Sequence, residues 1–142
     1  MLEAGTKFAK LKARPDMSPV RILIADDHEI FRRGLRSLLE SHPEWEVCGE
    51  AVDGQEAVEK AQELKPDIVV LDITMPRLNG LEAAKLLRKQ VIGPKTVILS
   101  QHEPRLMREA AINAGASAYV TKSEVSRELM VAIEGLMSSQ QP

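Results

Sequence analysis

Short apolar segments alternate with longer amphipathic segments from Val20 onward, and this alternation occurs five times. Several apolar segments, such as Ile68 to Leu71, have no polar position, which is typical of parallel strands covered by helices on both faces. We therefore predict five buried strands, at residues 20–25, 45–51, 67–72, 95–100 and 117–121.

Each strand is followed by a segment whose apolar residues recur at helical spacing, so five helices are predicted. Ser123 precedes the last helix and is predicted to be its N-cap. The apolar stripes are Phe31, Leu35, Leu38 and Leu39; Ala57, Val58, Ala61 and Leu64; Leu81, Ala84 and Leu87; Leu106 and Ala110; and Val125, Leu129, Ala132, Ile133 and Leu136.

Five strand–helix units predict a doubly wound α/β fold with one parallel sheet, because crossovers between parallel strands are right-handed. The fold could be Rossmann-like or flavodoxin-like, and the short chain favours the flavodoxin-like strand order 2-1-3-4-5. Residues 20–138 form this predicted domain. A basic N-terminal tail over 1–19 is expected to be mobile, and 139–142 are expected to form a C-terminal tail or the start of a linker.

Composition narrows the class of protein. A chain of 142 residues with 44% apolar residues and net charge -2 fits one soluble domain. Near-neutral charge and four aromatic residues argue against direct nucleic-acid binding. Cys48 is the only cysteine, and no apolar run approaches the length of a membrane span. A cytoplasmic protein without membrane contact is expected.

Polar residues stand where the predicted strands end. Asp26 and Asp27 follow the first strand, Asp72 ends the third, Ser100 ends the fourth, and Lys122 follows the fifth. Ligands of such sheets bind beyond the carboxyl ends of the strands, at the switch point between strands 1 and 3. Each residue alone has a simpler interpretation as a cap, turn or surface residue, but their joint placement predicts one site.

Three neighbouring carboxylates require a cation, and an oxygen-rich site of this kind suits Mg²⁺. With Lys122 and Ser100 nearby, a bound metal could hold a phosphoryl group. Asp72 is then the best candidate nucleophile, because a carboxylate can form an aspartyl-phosphate. His28 and His42 are interpreted as residues at the ends of the first helix, and neither is predicted to be a metal ligand.

These motifs resemble the receiver domains of bacterial response regulators, most closely the NarL/FixJ subfamily. The resemblance covers Val20 to about Met137, and it rests on the segments IADDHEIFRRGLRSLLE, GEAVDGQEAVEKAQELKPDIVVLDITMPRLNGLEA, TVILS and AGASAYVTK. It implies that Asp72 accepts a phosphoryl group from a sensor histidine kinase. It further implies that Asp27, Asp72 and the Thr74 backbone carbonyl bind Mg²⁺ directly, and that Asp26 helps through water.

The resemblance also implies a phosphorylation-controlled switch. Ser100 would turn inward to bond one phosphoryl oxygen, Lys122 would pair with another, and Tyr119 would swing inward with Ser100. The surface formed by the fourth helix, fifth strand and fifth helix would then change and control a partner or an output domain, because such switches bias a two-state element. The protein would assist its own phosphotransfer and dephosphorylation without being an enzyme that acts on other substrates.

Three residues at the mouth of the site are expected to tune the phosphoryl lifetime. Gln101 stands where the family often has a small residue, so its side chain is expected to narrow entry and slow dephosphorylation. Thr74 and His102 occupy the two positions that tune the attacking water in the family.

Most of the NarL/FixJ subfamily carries a C-terminal helix-turn-helix domain, and no room for one remains after the predicted fifth helix. Contact with DNA is therefore expected only through such a domain, absent from this chain. The sequence is compatible with a single-domain regulator and with the receiver part of a longer transcription factor. A homodimer formed on phosphorylation is a further expectation.

Three other functions compete with this interpretation. A haloacid-dehalogenase-like phosphatase would need a second aspartate two residues after its nucleophile, where Thr74 stands. A flavin-binding flavodoxin-like protein would have Ser, Thr and Gly after the first strand, where Asp26 and Asp27 stand. A silent receiver acting only as an interaction module is disfavoured by the complete set of acidic, hydroxyl and lysine residues.

Overall fold

Five parallel strands form a single sheet in the order β2-β1-β3-β4-β5, which confirms the predicted flavodoxin-like topology. The strands are β1 (Val20–Ala25), β2 (Trp45–Ala51), β3 (Ile68–Asp72), β4 (Lys95–Ser100) and β5 (Ala118–Thr121). The five helices are α1 (Glu29–Glu40), α2 (Gly54–Leu64), α3 (Gly80–Arg88), α4 (Arg105–Asn113) and α5 (Val125–Ser138).

The structure is a computed structural model that describes residues 18–90, 93–101 and 105–138. Nearly all of the predicted N-terminal tail, the C-terminal residues 139–142 and His102 lie outside the described residues. No helix within the described ranges is long and apolar enough to cross a membrane.

The core consists of two apolar layers, one on each face of the sheet. One layer joins the sheet to α1 and α5 through residues such as Leu35, Leu39, Leu129 and Ile133. The other joins it to α2, α3 and α4, and its helical side is built largely from alanines such as Ala57 and Ala111. Small side chains let these three helices lie close to the sheet, so both faces of β3 are fully buried.

Two predicted strands begin one residue later than expected, at Ile68 and Ala118. The residue before each strand uses its side chain to bind the neighbouring strand. An Asp67 carboxylate oxygen accepts a hydrogen bond from the Arg21 backbone N–H at 2.9 Å. The Ser117 hydroxyl accepts one from the Thr96 backbone N–H at 3.2 Å.

The prediction that Ser123 caps the last helix is wrong. Residues Lys122–Glu124 form a short 3₁₀ turn, and α5 begins only at Val125. The chain therefore leaves β5 through a tight turn that starts at Lys122, and this turn directs the lysine side chain toward the ends of β1 and β3.

Candidate functional site

The carboxylates of Asp26 and Asp72 lie side by side at the carboxyl edge of the sheet. Asp72 is the last residue of β3, and Asp26 directly follows β1, whose Ala25 pairs with Leu71. Both residues are buried, with 0% and 2% of their surface exposed. Strand order therefore brings two acidic residues, 46 positions apart in the chain, into one desolvated position.

Lys122 provides the positive charge that faces these two carboxylates. Its Nζ lies 2.8 Å from Asp26 Oδ2 and 3.4 Å from Asp72 Oδ2. The same ammonium lies 4.4 Å from the centre of the Phe31 ring, in a cation–π contact. The side chain is only 8% exposed, so the ion pair is shielded from solvent.

A divalent cation fits this group of residues. Asp26, Asp27, His28 and Asp72 each offer a ligand atom, and these atoms all lie within 4.8 Å of one another. Asp26 Oδ2 and Asp72 Oδ2 are buried, and the single Lys122 ammonium faces both of them. Two buried carboxylates that share one cation, beside a third carboxylate that is about a third exposed, suit a hard cation that also keeps water ligands.

His28 belongs to this cluster, although sequence reasoning did not include it. It is the N-cap residue of α1, and its backbone N–H donates to Asp26 Oδ1 at 2.8 Å. Its ring Nδ1 lies 3.2 Å from Asp26 Oδ1 and 3.3 Å from Asp27 Oδ1. The only sequence signal was its position next to the aspartate pair.

The other predicted residues surround the acidic cluster in different ways. Ser100 ends β4 and is buried, and it pairs in register with Thr121, the residue before Lys122. Thr74 lies in the loop after β3 and is exposed. Tyr119 is 7% exposed, and the Arg108 guanidinium lies 4.8 Å from its ring centre. The Tyr119 ring is therefore packed into the interior of the protein.

A cleft of about 540 Å³ opens beside Lys122 and gives access to the site. Gln101 is exposed and contributes to the wall of this cleft. The cleft is lined by His28, Phe31, Gln101, Lys122 and Ser123.

Burial raises the pKa of Asp72 to about 6, and the neighbouring Asp26 charge adds to this effect. Lys122 and the Thr74 backbone N–H, which both favour the ionised form, offset it only in part. The carboxylate is thus held in a desolvated position where a cation or a covalently bound group would relieve an unfavourable negative charge.

The chain belongs to the response regulator receiver domain family, which matches residues 22–134. Receiver domains of this family are phosphoacceptors that switch the output of two-component signalling.

Among its relatives are transcriptional regulatory proteins. The chain is similar to LiaR of Bacillus subtilis, with 39% identity over 80% of this chain and 54% of LiaR. It is similar to PdtaR of Mycobacterium tuberculosis, with 42% identity over 82% of this chain and 56% of PdtaR. The chain thus spans about half the length of these curated relatives.

Solved structures show the same fold. A LuxR-family two-component response regulator from Aurantimonas aligns with a TM-score of 0.81 and 40% identity, covering 86% of this chain and 87% of that chain. The response regulator domain of Thermotoga maritima CheB aligns with a TM-score of 0.78 and 36% identity, covering 84% and 96%.

Proposed function

We propose that Asp72 accepts a phosphoryl group from a sensor histidine kinase, with Mg²⁺ held by Asp27, Asp72 and the Thr74 backbone carbonyl and assisted by Asp26 through water. The observation that carries this proposal is the Lys122 ammonium between two buried carboxylates at the mouth of an open cleft. Among the strands that the structure describes, Asp72 is the carboxylate that ends a strand at the centre of this cluster.

An Asp72 carboxylate oxygen would attack the phosphorus, so that an O–P bond forms while the N–P bond to the kinase histidine breaks and its electron pair returns to the imidazole. Bound Mg²⁺ would neutralise charge on the carboxylates and the phosphoryl oxygens. Lys122 already lies near Asp72 Oδ2 and could pair with one phosphoryl oxygen, and the Ser100 hydroxyl could donate to another.

The phosphoryl group would then change the surface formed by α4, β5 and α5. Ser100 and Thr121 are paired across β4 and β5, so a movement of Ser100 toward the phosphoryl group would act on the strand that also carries Tyr119. We propose that the changed surface controls a partner, a homodimer or an output domain in the cytoplasm. The chain spans about half the length of its transcriptional regulatory relatives. As the resemblance to the NarL/FixJ subfamily implies, we propose that DNA would be contacted only through a separate helix-turn-helix domain.

Phosphorylation by a small acyl phosphate tests the metal requirement. We expect wild-type protein to gain a single, alkali-labile phosphoryl group rapidly with Mg²⁺ and hardly at all with EDTA. Asp27→Asn should lower the Mg²⁺ affinity at least about 10-fold, because it removes a charged ligand. Glu29→Gln is the matched control, because Glu29 is an exposed carboxylate just outside the cluster. Equal rates with Mg²⁺ and with EDTA would contradict the proposal.

The lifetime of the phosphorylated state tests the residues proposed to tune it. We expect Gln101→Ala to speed dephosphorylation severalfold, because Gln101 contributes to the wall of the cleft through which water enters. Substituting Thr74 and His102 together should also change the hydrolysis rate. The measurement is the decay of the phosphorylated fraction after the donor is removed, and an unchanged decay in both variants would refute the tuning role.

A further inference from the structure

Arg77 occupies a strained position in the loop between β3 and α3. Its φ is 67°, and within the described residues only Lys65 is another non-glycine residue with a positive φ. The Leu78 backbone N–H donates to the Pro76 carbonyl at 2.7 Å, which closes a γ-turn around Arg77. A γ-turn with positive φ at its centre is rare and unfavourable, so other contacts must hold it.

The contact that holds Arg77 is an ion pair with Asp53, the N-cap of α2. Arg77 Nε donates to Asp53 Oδ2 at 3.0 Å, and a terminal guanidinium nitrogen contacts the same oxygen. Asp53 is 1% exposed, and its other oxygen accepts the Glu56 backbone N–H at 2.8 Å. The Glu56 N–H, followed by Arg77, keeps the pKa of Asp53 below its usual value despite burial. Asp53 therefore faces the Arg77 guanidinium as a carboxylate at neutral pH.

Backbone contacts reinforce this connection between the two loops. A Cβ added at Gly54 would lie 1.9 Å from the Leu78 carbonyl oxygen, so the start of α2 touches the backbone of the β3–α3 loop. Only glycine allows this close approach.

The same loop leads back to Asp72. The Gly80 backbone N–H donates to the Ile73 carbonyl at 2.9 Å, which closes the loop at its base. A Cβ added at Gly80 would lie 2.3 Å from the Asp72 carbonyl oxygen. Thr74 lies two residues after Asp72, inside the loop segment that this Gly80–Ile73 hydrogen bond closes. A shift of the turn at Arg77 would therefore move Thr74 relative to the Asp72 carboxylate.

We propose that the Arg77–Asp53 ion pair positions the β3–α3 loop for phosphoryl transfer by fixing where the Thr74 backbone lies relative to Asp72. Arg77 is a positioning residue, because its guanidinium binds Asp53 and not the acidic cluster. This inference rests on the proposed function for its effect on phosphorylation, although the ordering of the loop can be measured independently.

Two variants separate the ion pair from the turn. Arg77→Gly removes the guanidinium and accepts the positive φ without cost, so the protein should remain folded. Asp53→Asn keeps a side-chain oxygen that can cap α2 but removes the charge that binds Arg77. Lys65→Gly is the matched control, because it relaxes the other left-handed residue, which caps α2 at its far end.

The expected result is a loss of Mg²⁺ affinity of about 10-fold in Arg77→Gly and in Asp53→Asn, measured by titration calorimetry, with Lys65→Gly unchanged. Phosphorylation by an acyl phosphate should slow by a similar factor at low Mg²⁺ and recover at saturating Mg²⁺. Arg77→Lys, which keeps a cation, should lie between wild type and Arg77→Gly.

Amide hydrogen exchange gives the deciding readout. The Gly80 and Thr74 amides should exchange at least about 10-fold faster in Arg77→Gly and Asp53→Asn than in wild type, because the loop opens more often. Exchange equal to that of Lys65→Gly would overturn the positioning role, even if phosphorylation were slower. If the two variants exchange faster but the wild-type protein accepts no phosphoryl group, the positioning role of Arg77 stands and the proposed function is refuted.

Discussion

Replacing Lys122 with methionine is expected to lower the free energy of unfolding by about 3 to 5 kcal/mol at neutral pH without divalent cations. Methionine keeps the apolar stem beside Phe31 but leaves Asp26 and Asp72 buried without the ammonium that lies between them. Two carboxylates that are 0% and 2% exposed cannot be compensated by solvent. The cost therefore comes from the charges that remain.

Chemical denaturation with EDTA present measures this effect. Lys85→Met on the exposed side of α3 is the control, and it should change stability by less than about 0.5 kcal/mol. Lys122→Met should lower the free energy of unfolding much less when Asp26 and Asp72 are both replaced by asparagine. In the single variant, Mg²⁺ should restore part of the lost free energy of unfolding. A single variant within 1 kcal/mol of wild type would show that the ion pair is not what compensates the buried acids.

Asp72→Asn is expected to stabilise the metal-free protein at neutral pH, by an amount that depends on pH. The folded-state pKa of Asp72 is raised to about 6, from 3.8 in an unperturbed carboxyl group. Between these values the unfolded chain loses the proton while the folded protein keeps it, so ionisation favours unfolding. The stability that protonated Asp72 contributes is thus present below pH 4 and is lost as the pH rises through 6.

The difference in unfolding free energy between Asp72→Asn and wild type should therefore increase by about 2 kcal/mol from pH 4 to pH 7 with EDTA. The lowered pKa values of Asp53 and Glu50 make the free energy of unfolding decrease at low pH in wild type and in Asp72→Asn alike. Taking the difference between the two proteins therefore removes this contribution. Glu29→Gln, at a side chain that is 67% exposed, is the surface control for this comparison. A constant difference for Asp72→Asn would mean that its carboxyl group ionises as readily in the folded protein as in the unfolded chain.

The strand order and the location of the central residues were predictable from the sequence, because apolar strands and strand-end polar residues follow simple rules. Asp26, Asp72, Ser100 and Lys122 each stand directly at the end of a strand, and parallel strands bring those ends to one edge. Their placement needs no knowledge of side-chain direction. For the same reason, the sequence could identify them as a group but could not show that the Lys122 ammonium faces both buried acids.

The remaining features depend on how loops approach one another. Asp53 and Arg77 are 24 residues apart in the chain. From the sequence alone, Asp53 is interpreted as a helix cap and Arg77 as an exposed turn residue. Ser123 has the residue type of a cap, but the turn required to aim Lys122 into the site moves the start of α5 to Val125. His28 was interpreted from its helical position alone, while its contacts come from the fold of the Asp26–Asp27 segment.

The central claim is that Asp72 itself carries the phosphoryl group, and locating that group on the chain tests it most directly. Wild-type protein would be treated with an acyl phosphate and Mg²⁺, trapped by borohydride reduction of the acyl phosphate, digested and sequenced by mass spectrometry. The account predicts a single reduced residue, at Asp72, and none in Asp72→Asn. Reduction at Asp26 or Asp27, or an equal yield of phosphorylated protein from Asp72→Asn, would contradict it.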